Sequence, residues 1–344
     1  MKKFNIIFLS EDMSSYSAAS YQNDFVVALQ KKNNIFFYGP GYKNYDSNDN
    51  IEKIIKKSKF KPEIIFIGHS WLKDKADEDV DIHKNINLKN TNIFKVFFLN
   101  KEYVNLDEKI NYIKSNEFNL CLTHHHDINL LKSRTDCKFL FVPFAFDQNR
   151  FGNNQITKNI DIGFSGILQN LNKNSHQSNI RIKIMNIFFK TIINLPIYKR
   201  NKYKNLNILW NTIPPQSFSQ FISKIFRIYK KIPDEEYSLI LSKSKIFINT
   251  LSPMNLISPR FFECMASRAI ILCEESQIYQ KIFPNHICIT FKSNMSDFEE
   301  KLEFIFNNYA KLYQDTLEIQ NYAINNHTWD KRVELVMNKI NSLM

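Results

Sequence analysis

Short runs of apolar residues alternate along the chain with longer stretches in which apolar residues recur at helical spacing. In the first half this pattern predicts strands at 4–9, 34–39, 63–68, 95–100, 118–123 and 138–143, and helices at 18–31, 50–58 and 107–116. Continuous apolar strands separated by helices are typical of a parallel sheet that is covered on both faces. Residues 1–150 are therefore predicted to form a Rossmann-like domain.

The same alternation starts again after this point. It predicts strands at 161–166, 206–211, 245–250, 269–273 and 287–291, and helices at 176–193, 217–230, 233–242, 259–267, 296–308, 310–323 and 328–343. We expect an α/β protein with a second Rossmann-like domain, residues 151–325, and a closing helix, residues 326–344. The two domains are expected to face each other across a cleft. In open α/β sheets ligands bind at the carboxyl ends of the strands, so the loops that follow strands are the first places to look for a site.

Length, motifs and cysteine usage narrow the class of protein. The 344 residues exceed the usual size of one domain. The first half has no GxGxxG and the chain no GxxxxGK[ST], which disfavours a dinucleotide oxidoreductase and a P-loop NTPase. The five cysteines have no CxxC spacing, which indicates free thiols in a reducing compartment. The N-terminal apolar run is too short for a signal peptide, and no run reaches the ~20 apolar residues of a spanning helix. We therefore expect a cytoplasmic protein.

The net charge of +12 suggests an attraction to polyanions, although it is equally compatible with a solvated lysine surface. The basic residues are spread along the chain, with denser groups at 199–204 and 224–231. No known nucleic-acid-binding motif accompanies them, so nucleic acid is not expected as a partner.

The segment 248–276 holds the most informative chemistry. Ser258 is a good N-cap and Pro259 suits the first turn of a helix, whose free amides and positive dipole end favour a diphosphate. Arg260 and Glu263 share a face of this helix, so Arg260 can neutralise phosphate oxygens and Glu263 can accept hydrogen bonds from ribose hydroxyls. The alternative is an ordinary capped helix with an internal Arg–Glu pair.

This segment resembles the C-terminal signature of the group 1 glycosyltransferases, and most closely their CgeB-like, spore-maturation-type branch. The matching residues are Asn249 at the end of a strand and SPRFFECMAS at 258–267. Further similar segments are VPFAFD at 142–147, DIGFSG at 161–166, the lead-in at 237–249 and HTWDKR at 327–332. The resemblance implies the GT-B fold and a hexosyltransferase-like enzyme that uses a nucleotide-sugar as co-substrate, with no cofactor and no metal.

The resemblance also implies roles for particular residues. Arg181 and Lys183, in the helix after the first strand of the second domain, are expected to hold the diphosphate together with the segment around Asn249. Two positions depart from the family pattern. Arg268 stands where the family commonly has glycine, and Asn255 stands where the retaining branch has its first glutamate. The stereochemistry of transfer therefore stays open, and a non-catalytic GT-B protein that binds a glycan or a partner is the alternative.

The first domain is expected to bind the acceptor and to supply a catalytic base. His69 follows a predicted strand and can titrate near neutrality, which makes it a candidate. Glu102 and His124 follow neighbouring strands and are further candidates. The three consecutive histidines at 124–126 do not predict a metal site, because adjacent residues rarely converge on one ion.

The stretch 218–231 combines apolar residues at helical spacing with lysines and an arginine. A basic amphipathic helix of this kind can lie on an anionic membrane, or it can pack its apolar face on the sheet. We expect a glycosyltransferase of envelope polysaccharide or glycolipid synthesis. Its acceptor would be a glycan or a lipid-linked sugar, and it would be peripheral to the inner face of the membrane.

Overall fold

A computed structural model describes residues 2–14, 20–69, 86–152, 156–168, 176–192, 194–213, 221–223, 225–226, 232–283 and 287–344. The chain divides into two compact units. The first comprises Met1–Ala145 together with Trp329–Met344, and the second comprises Phe146–Thr328.

The first unit contains a six-stranded parallel sheet in the order β2-β1-β3-β4-β5-β6. The strands are β1 (Asn5–Leu9), β2 (Asn34–Tyr38), β3 (Ile64–Ile67), β4 (Phe94–Leu99), β5 (Leu120–Thr123) and β6 (Lys138–Phe141). All six strands predicted in this half are confirmed. Those in the middle of the sheet consist almost wholly of buried residues, as expected where helices cover both faces.

The helices of this unit connect successive strands, and one returns from the end of the chain. They are α1 (Ser20–Lys32), α2 (Ile51–Ser58), α3 (Leu106–Ser115) and the short α4 (Asn129–Lys132). The helix α11 (Trp329–Asn341) packs against α1, where the indole of Trp329 lies 5.9 Å from the ring of Phe25. The guanidinium of Arg332 donates to the carbonyl oxygens of Pro143 and Phe144, which fixes this helix to the segment after β6.

Gly68 brings the end of β3 against β1. A Cβ at this position would lie 2.7 Å from the ring of Phe8 and 2.8 Å from the Cβ of Ser10, so a side chain would not fit. The close approach fixes the backbone just before His69, which is one of the candidate catalytic residues.

The second unit contains a five-stranded parallel sheet in the order β10-β7-β11-β12-β13. Its strands are β7 (Ile160–Ile167), β10 (Ile208–Ile213), β11 (Ser244–Asn249), β12 (Ile270–Glu274) and β13 (Ile289–Phe291). Its helices are α5 (His176–Phe188), α6 (Asp234–Lys243), α7 (Pro259–Ala266), α8 (Gln277–Ile282), α9 (Phe298–Asn307) and α10 (Tyr309–Asn326). The five strands predicted here are confirmed, each within a few residues.

The predicted helix 176–193 is wrong in its last turns. The helix α5 ends at Phe188, and a β-hairpin follows, formed by β8 (Phe189–Ile192) and β9 (Leu195–Lys199). Pro196 lacks the N–H that a helix needs, and Asn194 adopts a positive φ of 57° in the turn. A helical pattern of apolar residues therefore ends in a strand pair.

The predicted helix 217–230 lies mostly outside the described residues. Within it, Phe221–Ser223 and Ile225 are helical, and the side chains of Phe221, Ile225 and Phe226 are exposed. Among the residues that the structure describes, no helix has the length and apolarity needed to cross a membrane. All five cysteines are free.

Arg268 occupies a left-handed backbone conformation, with φ at 53°. Glycine adopts such a conformation without strain, which fits the glycine that the resemblance implies for this position. In this chain the side chain of Arg268 donates to the hydroxyl of Thr316 and to the carbonyl oxygen of Tyr313, and its guanidinium lies 4.4 Å from the centroid of the Tyr313 ring. These contacts with α10 offset the strain of a side chain at this turn.

Two substitutions at Arg268 distinguish the backbone strain at this residue from the contacts of its side chain with α10. Both Arg268→Ala and Arg268→Gly remove the contacts with α10, but only Arg268→Ala keeps a Cβ in the left-handed region. We expect Arg268→Ala to be less stable than Arg268→Gly by roughly 1 kcal/mol. Denaturant unfolding of the two variants measures this difference, and equal stabilities would contradict strain at this position.

Candidate functional site

In the second unit, most of the predicted donor-binding residues lie near the carboxyl ends of β7 and β11. Parallel strands end at the same edge of a sheet, so the loops that follow them are neighbours. Asn249 is the last residue of β11, and Thr250 follows it. A Cβ at Gly166, near the end of β7, would lie 3.5 Å from Nη1 of Arg260, so the Arg260 side chain reaches this edge of the sheet.

The helix α7 begins as the sequence predicts. Ser258 is its N-cap with an extended backbone, and Pro259 is its first residue. The hydroxyl of Ser258 makes no capping hydrogen bond, contrary to expectation, and its carbonyl oxygen instead accepts from the N–H of Phe261 at 3.1 Å. Pro259 has no N–H, and the N–H of Phe261 is taken by Ser258, so the first turn offers a diphosphate fewer amides than the sequence suggested. The side chain of Arg260 is therefore the main source of positive charge here.

Arg260 and Glu263 do not pair directly but are joined by the hydroxyl of Tyr237 in α6. Nε of Arg260 donates to this hydroxyl at 3.2 Å, and the hydroxyl donates to Oε2 of Glu263 at 3.2 Å. Burial and the nearby Glu263 carboxylate raise the pKa of Tyr237 well above its ordinary value, so the hydroxyl stays protonated and keeps donating. The internal Arg–Glu pair, which was the alternative to a ligand site, is thus not formed, and a three-residue bridge joins the two side chains.

Glu263 is buried and titrates unusually high. Burial raises its pKa to about 6, although the positive charges of Arg260 and Arg150 act in the opposite direction. Arg150 is itself held by Asp234 at 3.3 Å and by Asp147 at 3.7 Å. The carboxylate of Glu263 can therefore change its charge at a mildly acidic pH.

Of the two cations predicted in α5, the structure brings one to this edge of the sheet. Nε of Arg181 donates to the hydroxyl of Thr250 at 2.8 Å, which holds the guanidinium beside the end of β11. Lys183 is exposed, and two residues along a helix correspond to a rotation of about 200°. Lys183 therefore points away from the side of α5 that carries Arg181.

Asn249 is buried at the end of β11 and only partly hydrogen-bonded. Its Nδ2 donates to the sulfur of Cys264 at 3.6 Å, and its Oδ1 has no partner among the described residues. Asn255 is exposed and has a positive φ of 58°. An asparagine tolerates this conformation better than a glutamate, which is consistent with the departure from the retaining pattern at this position.

In the first unit, Glu102 holds the loop that carries His124. Its Oε1 accepts from the hydroxyl of Thr123 at 2.5 Å and from the amides of His124 at 3.0 Å and His125 at 3.2 Å. The side chain is buried. Through Oε1 Glu102 therefore positions the loop, whereas its Oε2 is buried and has no hydrogen-bond partner among the described residues.

His69 and His124 lie together in an aromatic cluster, with ring centroids 5.5 Å apart. The ring of His124 stacks on Phe144 at 3.6 Å, and that of His69 lies 3.8 Å from Phe98. Nδ1 of His124 is 2.7 Å from the carbonyl oxygen of Val142, so this nitrogen carries the proton and Nε2 does not. Nε2 of each of these two histidines is buried and without a hydrogen-bond partner in the described part of the chain.

The expectation that His69 titrates near neutrality is wrong. Burial lowers the pKa of His69 well below its ordinary value and that of His124 to about 3, because the charged imidazolium loses its hydration in this cluster. Both rings are neutral at physiological pH. Nε2 of His124 can accept a hydrogen bond, and neither ring carries a positive charge at this pH.

Sequence reasoning missed Tyr237 and Thr250. Tyr237 lies in a helix that the sequence predicts. Nothing in the sequence of that helix indicates that the Tyr237 hydroxyl would contact residues of α7. Thr250 directly follows the strand-ending Asn249, and that position could have flagged it. No group of three or more potential metal-ligating side chains occurs in the ranges that the structure describes.

The depressed pKa of His124 predicts a loss of stability in acid. The unfolded histidine titrates at about 6.5, whereas the folded one stays neutral down to its pKa of about 3. As the pH falls below about 6.5, proton binding therefore favours the unfolded state, and the free energy of unfolding decreases. From His124 alone, the free energy of unfolding should drop by roughly 2 kcal/mol between neutral pH and about pH 5. His124→Asn keeps a donor for Val142 and should flatten this part of the profile. An unchanged slope in the variant would contradict a neutral His124.

Similarity to known proteins was found at the level of a family model and of solved structures. Residues 210–338 match the family model described as Glycosyl transferase-like. This region includes Asn249, Arg260 and Glu263, whereas Arg181 and the candidate residues of the first unit lie outside it. No curated protein matches the chain by sequence.

Several solved structures are similar over the whole chain. Anabaena HepE in complex with UDP and glucose has 9% identity and a TM-score of 0.59, with 98% of this chain and 100% of that chain covered. A glycosyltransferase from Rickettsia africae has 11% identity and a TM-score of 0.61, with coverage of 100% and 99%. An α-glucosyltransferase in complex with UDP-glucose and DNA has 12% identity and a TM-score of 0.62, with both chains fully covered. The fold of the chain is thus the α/β, GT-B fold of the glycosyltransferases, and residues 210–338 form a glycosyltransferase-like region.

Proposed function

We propose that the protein is a glycosyltransferase that moves a sugar from a nucleotide-sugar to a hydroxyl acceptor. The observation that carries this proposal is the meeting of Arg181, Asn249, Arg260 and Glu263 at one edge of the second sheet, within and beside the glycosyltransferase-like region. The fold supports it, because similar structures hold UDP or UDP-glucose. UDP-sugars are therefore the first donors to test.

In the proposed reaction the acceptor oxygen bonds to the anomeric carbon while the bond from that carbon to the diphosphate breaks. The diphosphate leaves with the electron pair, and the guanidinium groups of Arg181 and Arg260 stabilise its charge. Glu263 accepts hydrogen bonds from the ribose hydroxyls. We expect the acceptor proton to pass to a base, for which His69, Glu102 and His124 are the candidates; Oε1 of Glu102 also positions the loop of His124.

The finer parts of the proposal rest on the sequence alone, on the family resemblance and on the basic amphipathic stretch 218–231. They are membership of the CgeB-like branch, metal-independent transfer, and a role in envelope polysaccharide or glycolipid synthesis at the inner face of the membrane. The anomeric outcome is left open, because Asn255 replaces the first glutamate of the retaining pattern. Turnover that persists in excess chelator would support metal-independent transfer.

Substitutions at the two arginines test the donor site. Arg181→Ala and Arg260→Ala each remove charge-assisted hydrogen bonds to the diphosphate, so each should lower the affinity for the preferred UDP-sugar at least about tenfold. Lys183→Ala is the matched control, because it removes a cation from the opposite side of the same helix, and it should change the affinity less than about twofold. Isothermal titration calorimetry with a panel of UDP-, GDP-, ADP- and CMP-sugars measures both effects.

The outcomes separate the candidate functions. Absence of binding by every nucleotide-sugar would remove the proposed donor site. Binding that is lost in the arginine variants, without transfer to any glycan or lipid-linked acceptor, would favour a non-catalytic GT-B protein. A larger loss in Lys183→Ala than in Arg181→Ala would place the diphosphate elsewhere.

Donor affinity should also depend on pH through Glu263. The carboxylate form accepts hydrogen bonds from the ribose, and since its pKa lies at about 6, protonation below this pH removes part of that capacity. We expect the affinity for a nucleotide-sugar to fall as the pH is lowered through about 6, and Glu263→Gln to bind weakly with little pH dependence. A nucleotide-sugar is the appropriate probe because its esterified phosphates do not titrate near neutrality. A pH profile shared by wild type and Glu263→Gln would exclude this role.

A further inference from the structure

The positive charge of this protein is concentrated in one segment. Residues 162–233 contain twelve Lys and Arg and no Asp or Glu. They therefore account for the whole net charge of +12, and the rest of the chain holds 34 basic and 34 acidic residues. Basic residues occur along the whole chain, but acidic residues are missing from 162–233, and this makes the net charge local.

The hairpin β8–β9 lies within this segment and presents apolar side chains to solvent. Ile192, Ile197 and Tyr198 are 62%, 49% and 55% exposed. The hairpin is anchored through Phe189 and Leu195, which are buried, and it packs on α5. Aliphatic side chains on an exposed strand pair are a liability in water, so an exposed face of this kind favours a partner.

Basic residues lie within the hairpin and directly after it, and most of those that the structure describes form no ion pair. Nζ of Lys190 lies 5.3 Å from the centroid of the Tyr198 ring. Nζ of Lys199 and the guanidinium of Arg200 donate to main-chain carbonyl oxygens, which do not neutralise them. Lys204 is exposed, and Lys202 is the exception, because it forms an ion pair with Glu299 at 2.8 Å.

We propose that this hairpin surface, defined by Lys190, Ile192, Ile197, Tyr198 and Lys204, docks the protein on an anionic lipid bilayer. The exposed isoleucines enter the interfacial region, Tyr198 lies at the headgroup level, and the lysines attract the anionic headgroups. The aliphatic residues favour a lipid surface over a nucleic acid, whose recognition relies on cations and stacking aromatics. This deepens the membrane contact of the proposed function and assigns it to the hairpin, whereas the sequence pointed to residues 218–231.

Vesicle flotation with the full-length protein tests this surface. The probes are vesicles that contain phosphatidylglycerol and vesicles of pure phosphatidylcholine. Wild type should float with the anionic vesicles, and binding should weaken as salt is added. Lys190→Glu/Lys204→Glu should lower the partition coefficient at least about tenfold. Ile192→Ser/Ile197→Ser should lower it even at low salt, since it leaves the charge unchanged.

The control is Lys53→Glu/Lys311→Glu, which makes the same change in net charge at exposed lysines of α2 and α10. It should bind vesicles nearly as wild type does. Equal losses in the control and the hairpin variants would reduce the effect to net charge and overturn the proposal. So would wild-type vesicle binding by both hairpin variants. Binding of single-stranded RNA that displaces the vesicles and is lost in Lys190→Glu/Lys204→Glu would assign the surface to nucleic acid instead. Calorimetry with the UDP-sugar should give wild-type affinity for the hairpin variants, which separates this outcome from a failure of the donor site.

Discussion

The hydroxyl of Tyr237 joins the two charged residues on which the candidate donor site depends. Arg260 and Glu263 lie one turn apart on α7 and could neutralise each other, which would leave little charge for a ligand. By accepting from one and donating to the other, the tyrosine keeps the guanidinium and the carboxylate apart while satisfying a hydrogen bond of each. The arrangement works because the tyrosine cannot ionise in its buried position. A cation and an acceptor thus remain ready at the edge of the sheet, for a diphosphate and a ribose respectively.

In the first unit, burial removes charge from two histidines. In the cluster of His69 and His124, aromatic neighbours exclude water and keep both imidazoles neutral. A neutral ring with its Nδ1 proton committed to a carbonyl oxygen presents a lone pair at Nε2, so its direction is fixed before any ligand arrives. The low pKa makes such a ring a weak base in the free protein. Hydrogen bonding to an acceptor hydroxyl, or the positive charge that develops at the sugar during transfer, would have to make proton transfer favourable.

The sequence predicted the parallel strands well, because a strand that is buried on both faces of the sheet needs apolar residues at successive positions, as in β3 and β4. Residue patterns failed at 189–192, where an apolar stretch follows a helix and period alone does not distinguish a further turn from a strand. Asn194 and Pro196 held the signal for a turn there. The sequence also predicted Arg260 and Glu263 but not the bridge between them, since the face of α6 that meets α7 depends on the packing of both helices against the sheet. The titration of His69 was predicted wrongly for a related reason, because burial by residues distant in sequence decides it.

The concentration of charge in one segment raises the question of whether donor binding and surface binding interfere with each other. Arg181 and the hairpin belong to the same acid-free segment, and α5 connects them. From Arg181 to the start of β8 the helix rises by about 12 Å, which exceeds the Debye length of about 8 Å at physiological salt. Arg181 is also held against Thr250 by its own hydrogen bond, so its orientation does not depend on the hairpin. Electrostatic coupling between the two surfaces should therefore be weak, and any dependence of donor affinity on the membrane would have to arise from movement of α5 as a rigid element.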